Sequence, residues 1–114
     1  MENTIDLAFK LHEMLTNSKE YLALKDAEKI MLEDLESSSL IKKYHLLQEQ
    51  YSSVKTNDML QKLHEAKLKM DLNINVINYK KAYKDYQILI GNITDIVFKD
   101  FSNDTLVDKI LKIK

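Results

Sequence analysis

The chain contains no cysteine, proline, tryptophan or arginine, and its one glycine is Gly91. The lack of cysteine excludes disulfide bonds, thiol catalysis and cysteine-ligated metal or iron–sulfur centres. The lack of further glycine excludes a phosphate-cradling loop, and no nucleophile-elbow motif is present. So few helix breakers across 114 residues favour helices over a turn-rich β fold. The sequence therefore predicts a single all-α domain over residues 1–114.

The charges are nearly balanced, with a net charge of −1, and all 17 basic residues are lysine. The molecule as a whole therefore attracts polyanions weakly, and it lacks the bidentate guanidinium fork used for phosphate and guanine recognition. No apolar run approaches the roughly 20 residues needed to span a bilayer. The start of the chain, "MENTIDLAFKLHE", is acidic and amphipathic, unlike a signal peptide. We expect a cytoplasmic protein without membrane insertion.

Apolar residues recur at helical spacing along most of the chain. They predict helices over about 4–16, 18–34, 38–71 and 75–98, and a short C-terminal helix over about 103–112. Thr4 is the predicted cap of the first helix, and Ser37 or Ser38 that of the third. The stretch "DLNIN" at 71–75, rich in capping Asn and Asp, predicts the break before the fourth helix.

The third predicted segment has an irregular apolar pattern. One seam comprises Leu40, Tyr44, Leu47, Tyr51 and Val54. A second, out of register with it, comprises Met59, Leu63, Ala66 and Met70. The intervening "KTND" at 55–58 is either a short turn with a fresh cap or a phase shift in one long helix. We favour one element with a kink or loop at this position.

The stretch "NYKKAYKDYQ" at 78–87 interleaves three tyrosines with three lysines. This composition suits either base stacking with single-stranded nucleic acid or a helical packing stripe. At about 100° per residue, the tyrosines continue into an aliphatic stripe within an arc of about 160°, and the lysines lie on the other side. The stripe comprises Val76, Tyr79, Ala82, Tyr83, Tyr86, Leu89, Ile90, Ile93, Ile96 and Val97. The pattern favours a packing seam, and we expect no direct nucleic-acid binding.

Two apolar residues of the same helix, Ile77 and Ile88, lie away from that stripe among Lys81 and Lys84. Isolated apolar residues are often exposed without consequence. They can also belong to a second contact surface, for a partner or a second copy. We take Ile77, Ile88, Lys81 and Lys84 as the candidate partner-binding residues.

No motif predicts catalysis or a bound metal. A carboxylate-rich metal bundle requires Glu three residues before a ligating histidine. Three residues before the histidines at 12, 45 and 64 stand Phe9, Lys42 and Gln61. The serines at 37–39 are typical of helix caps, and the carboxylates at 33–36 crowd a helix end without an apolar pocket to tune them. We therefore expect no enzyme activity, no cofactor and no metal.

Three stretches together carry a family resemblance. In "DLAFKLHEMLTNSKEYLALKDAEKIMLED", a short helix precedes Ser18, Glu20 and Tyr21, and the next helix ends at Asp34. In "LIKKYHLLQEQ", the matching residues are Leu40, Ile41, Tyr44, Gln48 and Gln50. In "LNINVINYKKAYKDY", they are Asn73, Val76, Tyr79 and Ala82. In their order and spacing, residues 5–100 resemble the YlbF/YmcA family of small helical bacterial regulators, found mainly in Gram-positive bacteria. The chain departs from the family at Ile74, where proline is usual, and in a shortened loop around "KTND".

The resemblance implies long antiparallel helices in a hairpin or bundle without β-sheet. It implies association as a homodimer or as a hetero-oligomer with family paralogues. It also implies a non-enzymatic adaptor that influences competence, sporulation and biofilm formation, in part by steering messenger-RNA processing by ribonuclease Y. Some members contribute cysteine to iron–sulfur binding. Because this chain has no cysteine, that property is not expected here, and the chain resembles a divergent paralogue. Two alternatives stay open, a self-associating scaffold without an RNA link and a lysine face that touches RNA directly.

Overall fold

The computed structural model describes residues 2–101, and these form helices without any strand. The predicted all-α fold is therefore confirmed. The helices are α1 (Thr4–Thr16), α2 (Lys19–Glu33), α3 (Leu35–Ser53), α4 (Asn57–Leu72) and α5 (Ile74–Val97). The predicted C-terminal helix at 103–112 lies outside the described residues.

Each helix begins at a side chain that accepts a hydrogen bond from an otherwise unpaired backbone N–H. Ser18 caps α2 and Thr56 caps α4. The first cap is Asn3 rather than the predicted Thr4, because Asn3 and Asp6 bond each other's backbone N–H in a capping box. For α3, the predicted cap at Ser37 or Ser38 is wrong, since Asp34 accepts from the Ser37 N–H at 2.9 Å.

The chain turns back on itself after α3. The sequence favoured one element over 38–71 with a kink or loop at 55–58. The structure has two separate helices, α3 and α4, which are divided by residues 54–56 and pack side by side. A short connection between packed helices makes them antiparallel. The chain turns here because the apolar seam before residue 55 and the seam after residue 58 are out of register. In a continuous helix the two seams would point in different directions, whereas the turn allows each seam to cover the other.

The pairing of the remaining helices extends this turn into a long, bent hairpin. Helix α2 packs along α5, as α3 does along α4. The Tyr21 and Tyr86 rings lie 5.8 Å apart, and Ser37 bonds Asn73, so α2 and α5 run antiparallel. The molecule measures 57 × 39 × 19 Å with a radius of gyration of 20.2 Å, against about 13 Å for a compact domain of this length. It is extended and about two helices thick.

The core is small for a chain with 45% hydrophobic residues. Among residues 2–101, the buried apolar side chains are Leu24, Met31, Ala66 and Val76. They lie on the facing sides of the two helix pairs. Most of the predicted seams are half-buried, which is what a two-helix layer provides without a third element above it.

Candidate protein-interaction surfaces

A polar cluster joins the two bends of the hairpin. Asp34 is both the last cap of α2 and the first cap of α3, and Asn73 has the same double role between α4 and α5. Ser37 is fully buried between them, with its Oγ 2.6 Å from Asp34 Oδ2 and 2.8 Å from Asn73 Oδ1. Asn75 Nδ2 donates to the same Oγ at 3.2 Å. The cluster therefore fixes both bends at the same level.

The electrostatics of this cluster are consistent with a structural role. The hydrogen bond from the Ser37 hydroxyl, followed by that from the Ser37 backbone N–H, holds the pKa of the Asp34 carboxyl below its ordinary value. Nearby, Lys80 Nζ lies 2.5 Å from Asp71 Oδ1, and this hydrogen bond is the main cause that lowers the pKa of Asp71. Both carboxylates are thus stabilised in their charged form. Neither is held protonated, as a general acid at neutral pH would be.

The tyrosines of α5 divide between packing and exposure. Tyr86 is half-buried against Tyr21 of α2, and Tyr79 is half-buried near the bend. Tyr83 is 44% exposed and stacks on Tyr79 with ring centroids 6.1 Å apart. At the end of the same stripe, Ile96 is 75% exposed. The predicted seam is therefore packed against α2 only along part of its length.

The four candidate partner-binding residues all lie on the solvent side of α5. Ile77 is 43% exposed and Ile88 54% exposed, and the two lysines are exposed as well. Ile77 and Ile88 are separated by three helical turns and share one side of α5 with Lys84. Lys81 lies at the margin, where it lines a shallow groove of about 320 Å³ between α2 and α5. We call Ile77, Ile88, Lys81 and Lys84 the α5 outer face.

A second exposed apolar region, missed by the sequence reasoning, lies at the end of the hairpin formed by α1 and residues 87–101. A groove of about 350 Å³ runs between α1 and the last turns of α5. We call it the α1–α5 groove. Its lining comprises Ala8, Leu11, His12, Leu15, Ile90, Ile93, Thr94, Val97 and Phe98. The available signal was α1 itself, whose apolar residues occupy more than one side of the helix.

No part of the described chain offers a metal site, since no three His, Cys, Asp or Glu side chains come together within residues 2–101. The helices of that range include none long and apolar enough to cross a bilayer. What the described surface does offer is apolar area. Exposed large apolar side chains occur on all five helices, among them Phe9, Leu22, Leu46, Leu68 and Ile88.

The fold defines the class as a small, elongated all-helical protein with largely exposed apolar side chains. Residues 4–102 match the family described as control of competence regulator ComK, YlbF/YmcA. The chain belongs to that family, and the resemblance inferred from the sequence is confirmed.

Two relatives illustrate the match. A UPF0342 protein of Lactobacillus acidophilus is 42% identical over 82 residues, covering 71% of this chain and 70% of that protein. The crystal structure of Bacillus subtilis RicA in complex with RicF superposes with a TM-score of 0.76 at 24% identity. The superposed residues make up 83% of this chain and 92% of the matched chain in that crystal structure. At that identity the likeness concerns the fold alone.

Proposed function

We propose that the chain is a non-enzymatic regulatory adaptor that acts through helix-mediated protein–protein contacts. The observation that carries the proposal is the disproportion between buried and exposed apolar side chains. Four apolar residues are buried in the described part of the chain, whereas Leu35, Phe9, Met14 and Ile96 are each more than 70% exposed. Monomers seldom expose extensive apolar surface, and such surface marks interaction sites.

The family assignment supports a regulatory role. Its description names control of a competence regulator, and the structural relative was solved in complex with another protein, RicF. On this basis we propose that the chain joins family paralogues or a second copy of itself in the cytoplasm. We further propose that the assembly controls messenger-RNA processing by ribonuclease Y, and through it competence, sporulation and biofilm development.

The α5 outer face is the surface that we assign to the heterologous partner. Ile77 and Ile88 provide two apolar anchors, and Lys81 and Lys84 provide positive charge beside them. A central apolar contact within a polar rim is the usual anatomy of such an interface. The lysines then favour a partner with an acidic rim.

Affinity capture from the native host tests this proposal, with bound proteins identified by mass spectrometry. The wild-type chain should recover family paralogues together with ribonuclease Y, and Ile88→Glu should reduce that recovery at least about tenfold. Leu68→Glu is the matched control, because Leu68 is 61% exposed on α4 and Ile88 54% exposed on α5. Circular dichroism verifies that both variants remain folded.

One outcome would contradict the adaptor role, and another would contradict only the surface assigned to it. Recovery of the chain alone would favour a self-associating scaffold without an RNA link. Undiminished capture of paralogues by folded Ile88→Glu would remove the α5 outer face from the interface, while leaving the adaptor role in place.

A further inference from the structure

The two bends of the hairpin are built from similar sequences in matching structural positions. Aligned on the caps Asp34 and Asn73, the stretch "MLEDLESSSLIKKY" at 31–44 corresponds to "MDLNINVINYKKAY" at 70–83. The residue after the cap is exposed in both bends, and the third residue after the cap is buried in both. The exposed pair is Leu35 and Ile74, and the buried pair is Ser37 and Val76.

The same correspondence relates the helices on either side of the bends. Helix α2 corresponds to α4, and α3 to α5, since each bend joins one helix to the next. Because α2 packs along α5 and α3 along α4, the correspondence carries each packed pair onto the other. The bent region therefore has an approximate internal two-fold symmetry, with its axis at the cluster that joins Ser37 to Asn73.

A groove of about 330 Å³ spans this bent region, and α2, α3, α4 and α5 all line it. We call it the elbow groove. Met31 and Val76 line it and are buried, so they form its floor. Met31 and Met70 are equivalent under the internal symmetry and both line the groove, as do the equivalent residues Ile41 and Lys80. The groove therefore lies at the axis.

The two halves of the elbow groove differ in chemistry although their positions are equivalent. One half presents Leu32 and Ile41. At the equivalent positions the other half has Asp71 and Lys80, whose charged atoms lie 2.5 Å apart. Lys67 Nζ also lies 3.5 Å from the Asp71 carboxylate, so two lysines share one negative charge. The groove is therefore apolar in one half and carries an excess of positive charge beside the other.

The shape and charge of the elbow groove favour a protein helix as its occupant. Leu32 in its wall is 55% exposed, whereas sites for small molecules enclose most of the ligand. A polyanion is disfavoured, because Glu28 also lines the groove and the net charge of the chain is −1. An amphipathic helix can lay apolar residues one turn apart into such a groove. The flexible side chains of Met31 and Met70 adapt to the shape of such residues.

We propose that the elbow groove binds an amphipathic helix of a partner protein, with apolar residues against Met31 and Met70 and an acidic residue facing Lys80. This assignment rests on the proposed function, in which the chain acts through helical contacts, and it adds a second surface to the α5 outer face. An acidic residue complements the excess positive charge at Lys80 and Lys67. Because the two halves of the groove differ, the helix binds in one orientation.

Selection from a phage-displayed library of helical peptides, each about 20 residues long, tests the proposal. We expect the peptides selected by the wild-type chain to combine a large apolar residue with Asp or Glu three or four positions away. That spacing places both residues on one side of a helix. Fluorescence anisotropy of a labelled selected peptide then measures its affinity for the wild type and for the variants.

Two substitutions in the groove and one matched control separate the contributions. Leu32→Glu should weaken peptide binding at least about tenfold, because it places a carboxylate in the apolar half. Leu22→Glu should not weaken it; Leu22 is 54% exposed on the same helix and does not line the groove. Lys80→Met should weaken binding about two- to fivefold and reduce its salt dependence, while Asp71 keeps Lys67 as a partner. Circular dichroism checks that all three variants remain folded.

Several results would overturn the proposal. The wild type enriches no peptide, the enriched peptides lack an acidic residue, or they bind folded Leu32→Glu as tightly as the wild type. Binding lost in Val97→Glu but kept in Leu32→Glu would place the peptide in the α1–α5 groove instead. Self-association weakened by Leu32→Glu, measured by sedimentation equilibrium, would assign the elbow groove to a second copy. Binding of a labelled RNA that Leu32→Glu abolishes would assign it to RNA.

The adaptor proposal is judged separately. It depends on the proteins that the wild type captures from its host and on their loss in Ile88→Glu, whereas the peptide affinities are measured with the purified chain. Capture of paralogues with no peptide binding at the elbow groove would leave the adaptor role in place and remove the second surface.

Discussion

Ser37 and Asn73, 36 positions apart in the sequence, are joined by a hydrogen bond of 2.8 Å at the level where both arms of the hairpin bend. The Ser37 hydroxyl is fully buried, and it also contacts Asp34 and Asn75. These hydrogen bonds therefore link the two bends directly.

Removing that hydroxyl should destabilise the fold. Ser37→Ala removes the side-chain hydrogen bonds that join Ser37 to Asp34, Asn73 and Asn75, one of them to a charged carboxylate. We expect a loss of about 1–3 kcal/mol in the free energy of unfolding. Urea denaturation followed by circular dichroism measures it. Ser39→Ala, at an exposed position of the same helix, should change stability by less than about 0.5 kcal/mol. Equal effects of the two variants would contradict the role of the cluster.

Stability should fall in acid because of the carboxyls at the bends. The folded pKa values of Asp34 and Asp71 lie below the ordinary value of 3.8. The stability that the two ionised carboxyls contribute is therefore fully present above pH 3.8. It is lost as the pH falls through their lower pKa values in the folded protein. Urea midpoints at pH 6 and pH 3 measure the loss. Asp34→Asn should be less stable than the wild type at pH 6 but lose less between the two pH values; an unchanged acid loss would contradict the assignment.

The Tyr21–Tyr86 contact should be measurable by a double-mutant cycle. The rings are tilted by 54° at 5.8 Å, a geometry with a coupling of about 0.5–1.5 kcal/mol. Tyr21→Leu, Tyr86→Leu and the double variant provide the values. Tyr21→Leu combined with Tyr51→Leu is the control, because Tyr51 lies on α3. Its two losses in the free energy of unfolding should be additive. Additivity within the first pair would exclude a direct contact between α2 and α5 at this level.

Gly91 should be replaceable with a gain in stability. It lies inside α5, and a Cβ added there meets no atom within 4 Å. Gly91→Ala should therefore stabilise the chain by about 0.5–1 kcal/mol, because alanine loses less conformational freedom on forming a helix. Thermal or urea unfolding measures the change. A destabilised variant would indicate that this side of α5 is already covered in solution.

Single-stranded RNA should not bind the isolated protein. Tyr79 and Tyr86 are half-buried, and the net charge is −1, so both stacking platforms and phosphate attraction are weak. Fluorescence anisotropy at low salt with a labelled oligonucleotide should show no binding at micromolar protein. Binding that weakens steeply with salt would instead favour the lysine face of α5 as an RNA contact.

Local sequence signals predicted the positions of most helices but not which helices pack against each other. The 3.6-residue spacing located the helices, and the stretch "DLNIN" marked the break between α4 and α5. Asp34 was not predicted as a cap, because three consecutive serines offered equally good capping groups, and the choice depends on burying Ser37 beside Asn73. The turn at Val54–Thr56 was left open, because a phase slip has the same local signature as a reversal of the chain. The groove at α1 was missed because it exists between elements distant in sequence.

The bent hairpin also implies an order of folding. Helices α3 and α4 are joined by three residues, so their contacts close a short loop and cost little chain entropy. The contact between Tyr21 and Tyr86 joins residues far apart in the sequence. Its entropy cost of loop closure is lower once α3 and α4 have paired, because the remaining loop is then shorter. We expect folding to start at the turn between α3 and α4, to extend to the polar cluster at the bends, and then to pair α2 with α5. The α1 end, which has the fewest internal contacts, closes last.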